Sequence, residues 1–345
     1  MHKPFLAAFF RAIKAMRAQL MFLSSLFYVL SGSSYAAEGI SGFEKFRKFE
    51  KIYEPSGVVQ LPDERFLVVE DEAAHPLAVF SLQPDGQVSE QSIYHSSLLS
   101  WSSPNRVLST LEDLEAVTVD DLGRIYAITS HSRKENGKRA DKREQLARFA
   151  LDGERIVDFK VLRNLRKKIS ALHESLKDAA KIRDVKNSGG FNIEGLSFDA
   201  TKQNLLIGLR SPLAGSDAII MVLENPQAVF EQDEEPQISS RLINLDLHGG
   251  GIRALSYDPH LGGFLIISRK PGKSFKLWLW NANMKTKPKR LKVPGIKNLR
   301  QAEGVTAVLR DGHPEGILIV SDDGIGLKAK PGHYLFLRYE QLIIN

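Results

Sequence analysis

The chain has 345 residues, 43% of them hydrophobic, and it contains no cysteine. That apolar content is typical of chains that bury a core, so it excludes a wholly disordered protein. The absence of cysteine excludes disulfide bonds, thiol catalysis and cysteine-ligated metal sites.

The first 36 residues have the layout of a secretory signal peptide. Basic residues from Lys3 to Arg17 precede an apolar run from Leu20 to Leu30, and Ser34 and Ala36 supply the small side chains that a signal peptidase selects. A retained membrane anchor is the alternative, although the apolar run is shorter than the ~20 residues that span a bilayer. We therefore expect residues 1–36 to be cleaved and the protein to be periplasmic or secreted.

The net charge of the whole chain comes mostly from that segment. Removing its four basic residues from the 47 in the chain, against 41 acidic residues, changes the net charge from +6 to +2. Nucleic acids and anionic membranes need a clustered basic face, and the clearest basic run is Lys285 to Lys292. We expect no nucleic-acid partner, no membrane contact after cleavage, and a monomer.

Five repeated segments follow, preceded by a strand candidate from Phe46 to Tyr53. Each segment opens with a short strand, crosses a turn rich in Asp, Gly and Pro, and enters a strongly apolar second strand. The openings are SGVVQL at Ser56, EAVTVD at Glu115, EGLSFD at Glu194, RALSYD at Arg253 and EGVTAV at Glu303. The second strands read RFLVVED, RIYAITS, NLLIGLR, GFLIISR and GILIVSD.

Further strands complete each segment. Third strands begin at Pro76, Gln145, Ala218, Phe275 and Tyr334, and weaker fourth strands are predicted at Val88 to Tyr94, Ile156 to Leu162, Leu242 to Leu247 and Leu291 to Val293. The openings lie 59, 79, 59 and 50 residues apart, near the ~40–50-residue period of propeller blades plus loops. The pattern predicts an all-β fold, a β-propeller of about five four-stranded blades, with six as the alternative, in one domain over residues 42–345.

Two irregularities refine this architecture. The longest interval contains a helical pattern from about 163 to 184, which we interpret as an insertion between blades; a helix that docks a partner is the alternative. The last segment ends without a fourth strand. Phe46 to Tyr53 is therefore predicted to supply that strand and to close the ring.

The propeller geometry predicts a site without any motif. The innermost strands line a central channel, so the starts of first strands and the ends of second strands meet at one mouth. Hard oxygen ligands for Ca²⁺ or Mg²⁺ would come from Glu115, Glu194, Glu303 and Ser56. Candidate contacts for an anionic ligand are Arg210, Arg253, Arg269, Asp322 and His131. In the alternative interpretation, Arg253 neutralises the glutamates and the ring is a satisfied polar plug.

The strings IEGL, GLRSPL, GIR and SDDG, within roughly residues 110 to 325, resemble the uncharacterised bacterial family known as domain of unknown function 3616. The resemblance implies a propeller-like fold and no settled activity. A looser similarity runs to esterase-like phytases and to five-bladed calcium-dependent apyrases. That similarity implies Glu115, Glu194 and Glu303 as channel ligands with Ser56 beside them, and the sequence departs from it at Arg253 and Ala116.

Three hypotheses for the function follow from these features. The first is an exported propeller that binds a small anionic or phosphorylated ligand at the channel mouth, with catalysis optional. The second is a Ca²⁺- or Mg²⁺-dependent phosphoester hydrolase of the phytase or apyrase kind. The third is a protein-interaction scaffold with an inert channel.

Overall fold

Five antiparallel sheets, one for each repeated segment, make up the computed structural model of the chain. The structure describes residues 45–71, 76–94, 106–324 and 330–345, so the predicted signal peptide, residues 1–36, lies outside the described residues. Phe43–Asn345 form one compact unit. Among the helices that the structure describes, none is long and apolar enough to cross a membrane.

The strands follow the predicted order closely. Strand β1 is Arg47–Lys48, and blade 1 holds β2 (Pro55–Gln60), β3 (Phe66–Glu70), β4 (Leu77–Leu82) and β5 (Val88–Tyr94). Blade 2 holds β6 (Leu114–Val119), β7 (Ile125–Thr129), β8 (Gln145–Asp152) and β9 (Arg155–Arg163). Blade 3 holds β10 (Asn192–Asp199), β11 (Asn204–Ser211), β12 (Ala218–Leu223) and β13 (Ile243–Leu245). Blade 4 holds β14 (Gly251–Asp258), β15 (Gly263–Arg269), β16 (Lys276–Trp280) and β17 (Lys289–Lys292). Blade 5 holds β18 (Ala302–Arg310), β19 (His313–Ser321) and β20 (His333–Arg338), and β21 (Ile343–Ile344) ends the chain.

The five blades are arranged in a ring. The first strands β2, β6, β10, β14 and β18 each contact the first strands of both neighbouring blades, so they surround a central channel. A hydrophobic cluster fills each of the five interfaces between neighbouring blades. The prediction of an all-β propeller with five four-stranded blades is confirmed, because every core cluster is shared by two blades and no sheet stands alone.

The N-terminal strand closes the ring as predicted. Strand β1 pairs with β20, placing Arg47 opposite Tyr334, and thereby gives blade 5 its fourth strand. It is shorter than the predicted Phe46 to Tyr53. The ring of Phe49 secures the closure, because it packs 5.5 Å from Phe80 of blade 1 and 4.9 Å from Tyr334 of blade 5. Strand β21, which was not predicted, adds a fifth strand to blade 4.

The helices lie between blades 2 and 3. They are α1 (Leu165–Leu172), α2 (Glu174–Ala179), α3 (Val185–Ser188) and α4 (Pro226–Glu231), with short 3₁₀ turns at Arg106–Thr110, Asp141–Arg143 and Tyr339–Gln341. The predicted insertion at about 163–184 contains α1 and α2, and it buries Leu165, Ile169 and Leu176 in the cluster between these blades. Its apolar face is therefore used inside the fold. Helix α4 was not predicted, although Pro226 in its first turn after Asn225 is a typical start signal.

Candidate functional site

The five predicted channel residues share one backbone feature: each is the extra residue of a β-bulge. In every blade the pairing of the first and second strands skips one position near the start of the first strand. A bulge bends the strand and re-aims the side chain of the unpaired residue, so the same device presents one side chain per blade at the mouth of the channel. The skipped residues are Ser56, Glu115, Glu194, Arg253 and Glu303.

A small residue follows each bulge because neighbouring first strands pass very close there. A Cβ on Gly195 would lie 2.8 Å from the Cγ2 atom of Ile252 on the next blade. A Cβ on Gly304 would lie 2.6 Å from Val320 Cγ2 and 3.0 Å from the backbone nitrogen of Val58. The E-G pairs of the repeats therefore combine a channel side chain with the space that the adjoining blade needs.

Arg253 connects two of the three channel glutamates. Its Nη1 donates a hydrogen bond to Glu194 Oε2, and its Nη2 lies 2.9 Å from Glu303 Oε1. Burial would lower the pKa of the guanidinium, but Glu194 and Glu303 outweigh that effect and raise it. Arg253 is therefore a permanently charged bridge across blades 3, 4 and 5.

Glu194 is the most strongly held carboxylate of the ring. Besides Arg253 it binds Arg210, whose Nη1 lies 2.7 Å from Glu194 Oε1. The same oxygen accepts a hydrogen bond of 3.1 Å from Asn192 Nδ2. Both carboxylate oxygens thus have charged donors, while Asn192 Oδ1 is buried without a hydrogen-bond partner among the described residues.

Glu115 differs from the other two glutamates because it has neither an ion pair nor a hydrogen bond within the described part of the chain. One oxygen from each of Glu115, Glu194 and Glu303 lies within 4.8 Å of the others. Burial, followed by repulsion from Glu194, Asp113, Asp71 and Glu303, raises the pKa of Glu115 well above its usual value. Glu115 therefore keeps its proton to a higher pH than an exposed glutamate does.

The pKa of Glu303 lies near neutrality. Burial raises its pKa, Arg253 lowers it, and Glu194 and Asp322 raise it again, with the result at about 7. Asp322, at the end of β19, is half-buried, and burial raises its pKa while the Gly324 N–H, 2.7 Å from its Oδ1, opposes the change. The structure therefore places Asp322 beside the ring, as predicted.

A second acidic cluster lies on the side of blades 1 and 2. Asp113 accepts hydrogen bonds from Ser130 and pairs with Arg143. Burial and the neighbouring Asp113 raise the pKa of Asp71 to about 8. A signal for such residues does exist: a polar side chain stands two positions before four of the five bulge residues, at Glu54, Asp113, Asn192 and Gln301.

Three arginines gather on the opposite side, at blades 3 and 4. The guanidinium groups of Arg253 and Arg269 both lie against the ring of Phe275, at 5.6 and 4.9 Å from its centre. Arg210 joins them through its bond to Glu194. Arg269 forms no ion pair with any carboxylate that the structure describes, and its Nε is buried without an acceptor.

Two predicted residues, His131 and Ser56, form no ion pair or side-chain hydrogen bond with the channel glutamates or arginines among the described residues. His131 is fully buried, its Nδ1 lies 2.8 Å from the Thr129 carbonyl oxygen, and burial lowers its pKa to about 4. The charged groups that act on this pKa are Glu144 and Arg166, and none of the channel glutamates is among them. Ser56 occupies the bulge of blade 1, where its hydroxyl donates a 3.3 Å hydrogen bond to the Glu54 carbonyl oxygen.

The donor set fits a divalent cation poorly. Three carboxylates converge, as Ca²⁺ requires, but both oxygens of Glu194 and one oxygen of Glu303 already bind arginine. A metal ion there would lie beside a buried guanidinium that cannot lose its charge. Glu115 alone of the three glutamates offers a carboxylate that no cation contacts within the described residues.

The fold and the ring define the class of this protein: a five-bladed β-propeller with a mixed-charge group at the mouth of its channel. The chain belongs to the family described as "Protein of unknown function (DUF3616)", which matches residues 122–330. This match confirms the family resemblance seen in the sequence. The looser similarity to phytases and apyrases is not shown by the comparisons.

Several solved structures are similar to the chain. The PQQ-bound aldose sugar dehydrogenase from Streptomyces coelicolor is 13% identical, with a TM-score of 0.42 over 85% of this chain and 98% of that one. The exo-beta-1,3-galactanase 1,3Gal43A from Clostridium thermocellum is 10% identical, with a TM-score of 0.49 over 86% of this chain and 62% of that one. No curated protein matches the chain. These similarities do not indicate what the chain binds.

Proposed function

We propose that the protein is an exported propeller that binds a small anionic ligand, such as a phosphorylated metabolite, at the mouth of its channel. The observation that carries the proposal is Arg269, whose guanidinium is held against Phe275 without a carboxylate partner among the described residues. A planar, pre-positioned guanidinium favours bidentate binding of phosphate or carboxylate. Arg210, which uses one nitrogen for Glu194, is the second contact.

The charge state of the ring supports an anion rather than a cation. Arg210, Arg253 and Arg269 carry full positive charges. Against them, Glu194 pairs with two of these arginines, burial and neighbouring carboxylates raise the pKa of Glu115 well above its usual value, and the pKa of Glu303 is raised to about 7. The glutamates therefore offset less of the positive charge near pH 7 than their number implies. Arg253 itself serves as the internal counter-ion and does not have to contact the ligand.

A calorimetric titration with sulfate and with a phosphomonoester tests the proposal, using residues 38–345, which contain all five blades. Arg269→Gln should weaken binding about 10- to 100-fold, because it removes a charge-assisted hydrogen bond worth ~1.5–3 kcal/mol. Arg290→Gln is the matched control, since Arg290 also lies over an aromatic ring, Trp278, but on the outer strand of the same blade. Equal affinity of the Arg269→Gln variant and the wild type would rule out the proposed contact.

A divalent-cation site that supports phosphoester hydrolysis is the second candidate, and the convergence of three glutamate oxygens within 4.8 Å favours it. Titration of chelator-treated protein with Ca²⁺ distinguishes the two functions. Tight binding that is lost in Glu115→Gln, together with phosphoester hydrolysis that chelator abolishes, would support the metal site. The affinity for Ca²⁺ should rise with pH, whereas the affinity for an anion should fall, because the same carboxylates ionise.

A further inference from the structure

Blade 4 contains a long segment in which every charged residue is basic. From Pro259 to Ala302 the chain contains eleven lysines and arginines and no aspartate or glutamate. Within the described residues, two of these cations form ion pairs, Lys287 with Asp246 and Arg300 with Asp323. The eleven are Arg269, Lys270, Lys273, Lys276, Lys285, Lys287, Lys289, Arg290, Lys292, Lys297 and Arg300. Because the segment is long and most of its cations form no ion pair among the described residues, packing within the blade does not explain it.

Much of this charge lies along the outer edge of the blade. Lys289 and Lys292 are exposed residues of β17, while Lys285 and Lys297 are exposed in the segments on either side of it. None of these four lysines forms an ion pair in the part of the chain that the structure describes. Arg290, between them, lies over Trp278 and leaves its Nη1 without a hydrogen-bond partner among the described residues.

Exposed apolar side chains accompany the lysines. Strand β21 pairs with β17, with Ile343 opposite Lys292 and Ile344 opposite Leu291. Ile343 and Ile344 remain 49% and 45% exposed, and Met284 in the preceding turn is 44% exposed. These residues place apolar surface beside the lysines, and apolar surface rimmed by polar residues marks sites where a protein or a membrane binds.

We infer that the edge formed by Lys285, Lys289, Lys292, Lys297, Ile343 and Ile344 docks on an anionic lipid surface. Lysines attract negatively charged headgroups, and neighbouring aliphatic side chains enter the boundary between headgroups and acyl chains. A surface for single-stranded nucleic acid would instead present aromatic rings to the bases, whereas Trp278 and Trp280 of this blade are buried. The sequence-based expectation of no membrane contact rested on the low net charge of the cleaved chain and on Lys285 to Lys292 being the clearest basic run.

Cosedimentation with lipid vesicles tests the inference. Residues 38–345 should bind vesicles that contain phosphatidylglycerol and not vesicles of phosphatidylcholine alone, and the binding should weaken with added salt. Lys289→Glu combined with Lys292→Glu should reduce the partition coefficient about 25-fold or more, since each lysine near an anionic surface contributes roughly fivefold. Ile343→Ser combined with Ile344→Ser should lower the binding that remains at high salt, where the electrostatic attraction is screened.

The control makes the same change in charge elsewhere. Arg163 and Lys167 are exposed and unpaired within the described residues but lie on the side of blades 2 and 3, so Arg163→Glu with Lys167→Glu should leave vesicle binding unchanged. An equal loss in both double variants would show that net charge alone acts and would overturn the inference. It would also be overturned if phosphatidylcholine bound equally well, or if the edge bound a single-stranded oligonucleotide more tightly than anionic vesicles.

Discussion

Arg253 occupies the bulge position in blade 4 that Glu194 occupies in blade 3, and its guanidinium donates a hydrogen bond to the Glu194 carboxylate. One repeat therefore supplies the counter-ion for its neighbour from the equivalent backbone position. The repeated bulge sets where the side chain points, and the residue type at the bulge sets the charge. The charge of the ring is therefore set by the residue types at five equivalent backbone positions.

Replacement of Arg253 by methionine should strongly destabilise the protein. It leaves Glu194 and Glu303 close together with one cation fewer, and breaking a buried ion pair from one side costs about 3–5 kcal/mol. The free energy of unfolding from denaturant titration measures the effect. Adding Glu194→Gln and Glu303→Gln should recover much of the loss, because no uncompensated charge then remains. If Arg253→Met alone left the stability unchanged, the bridge would not hold the ring together.

The stability should depend on pH through Glu303. Its pKa in the folded protein is raised to about 7, above the ~4.3 of an unfolded chain, so the folded state binds more protons between these values. The free energy of unfolding must therefore fall as the pH rises from about 4.3 to about 7 and level off above it. Glu303→Gln should flatten this part of the curve. Glu315→Gln, on the same blade but paired with Arg310, should not.

The affinity for sulfate should follow the same titrations. The charge of sulfate is constant over this range, so any change in affinity reports the protein. Protonation of Glu303 near pH 7 and of Asp71 near pH 8 removes negative charge from the mouth, and binding should therefore strengthen as the pH falls. Glu303→Gln and Asp71→Asn should each remove part of the dependence. A sulfate affinity that increased with pH would contradict an anion site beside these two carboxylates.

Closure of the ring at blade 5 can be tested at Phe49. This residue is 2% exposed and lies between Phe80 and Tyr334, so it joins the N-terminal strand to blades 1 and 5. Phe49→Ala should lower the free energy of unfolding by about 3–5 kcal/mol through the cavity that it leaves. Leu122→Ala, at a residue that is 69% exposed, should have little effect. Equal stabilities of the two variants would show that β1 does not contribute to closure.

Most of the architecture could be predicted from the sequence because each strand carries its own signal. The second and third strands are apolar on both faces, and the turns that precede the second strands contain Asp and Gly. These signals recur along the sequence at a spacing near the length of a propeller blade. Features that depend on distant partners could not be found in this way. Strand β21 has two residues and is a strand because of its pairing with β17, and α1 ends at Leu172, which is 52% exposed.

The site could be predicted in part for the same reason. Topology alone brings the bulge residues and Arg210, Arg269 and Asp322 to the mouth, whatever their partners. His131 follows Ser130, which is the blade 2 residue at the position of Arg269; the backbone of His131 takes a positive φ of 56°, and its ring is fully buried. Such a local reversal does not alter the hydrophobic pattern, so the pattern could not reveal it. Ion pairs such as Arg253 with Glu194 likewise depend on distances between side chains, and the spacing of the repeats in the sequence does not determine those distances.

The requirement for a small residue after each bulge leads to the last prediction. An alanine at position 304 would place its Cβ 2.6 Å from Val320 Cγ2 and 3.0 Å from the Val58 backbone nitrogen, and the backbone atom cannot move without shifting blade 1. Gly304→Ala should therefore lower the free energy of unfolding by about 1–3 kcal/mol. It should also weaken anion binding, because Glu303 is displaced with the strand.

Ala254→Gly is the control, because it makes the reverse change at the equivalent position of blade 4, where a Cβ is already accommodated. It should cost about 1 kcal/mol or less and leave the anion affinity unchanged. Loss of affinity in Gly304→Ala without loss in Ala254→Gly would show that the close approach of the blades positions the ring, whereas unchanged affinity in both would show that the ring tolerates movement of the strand.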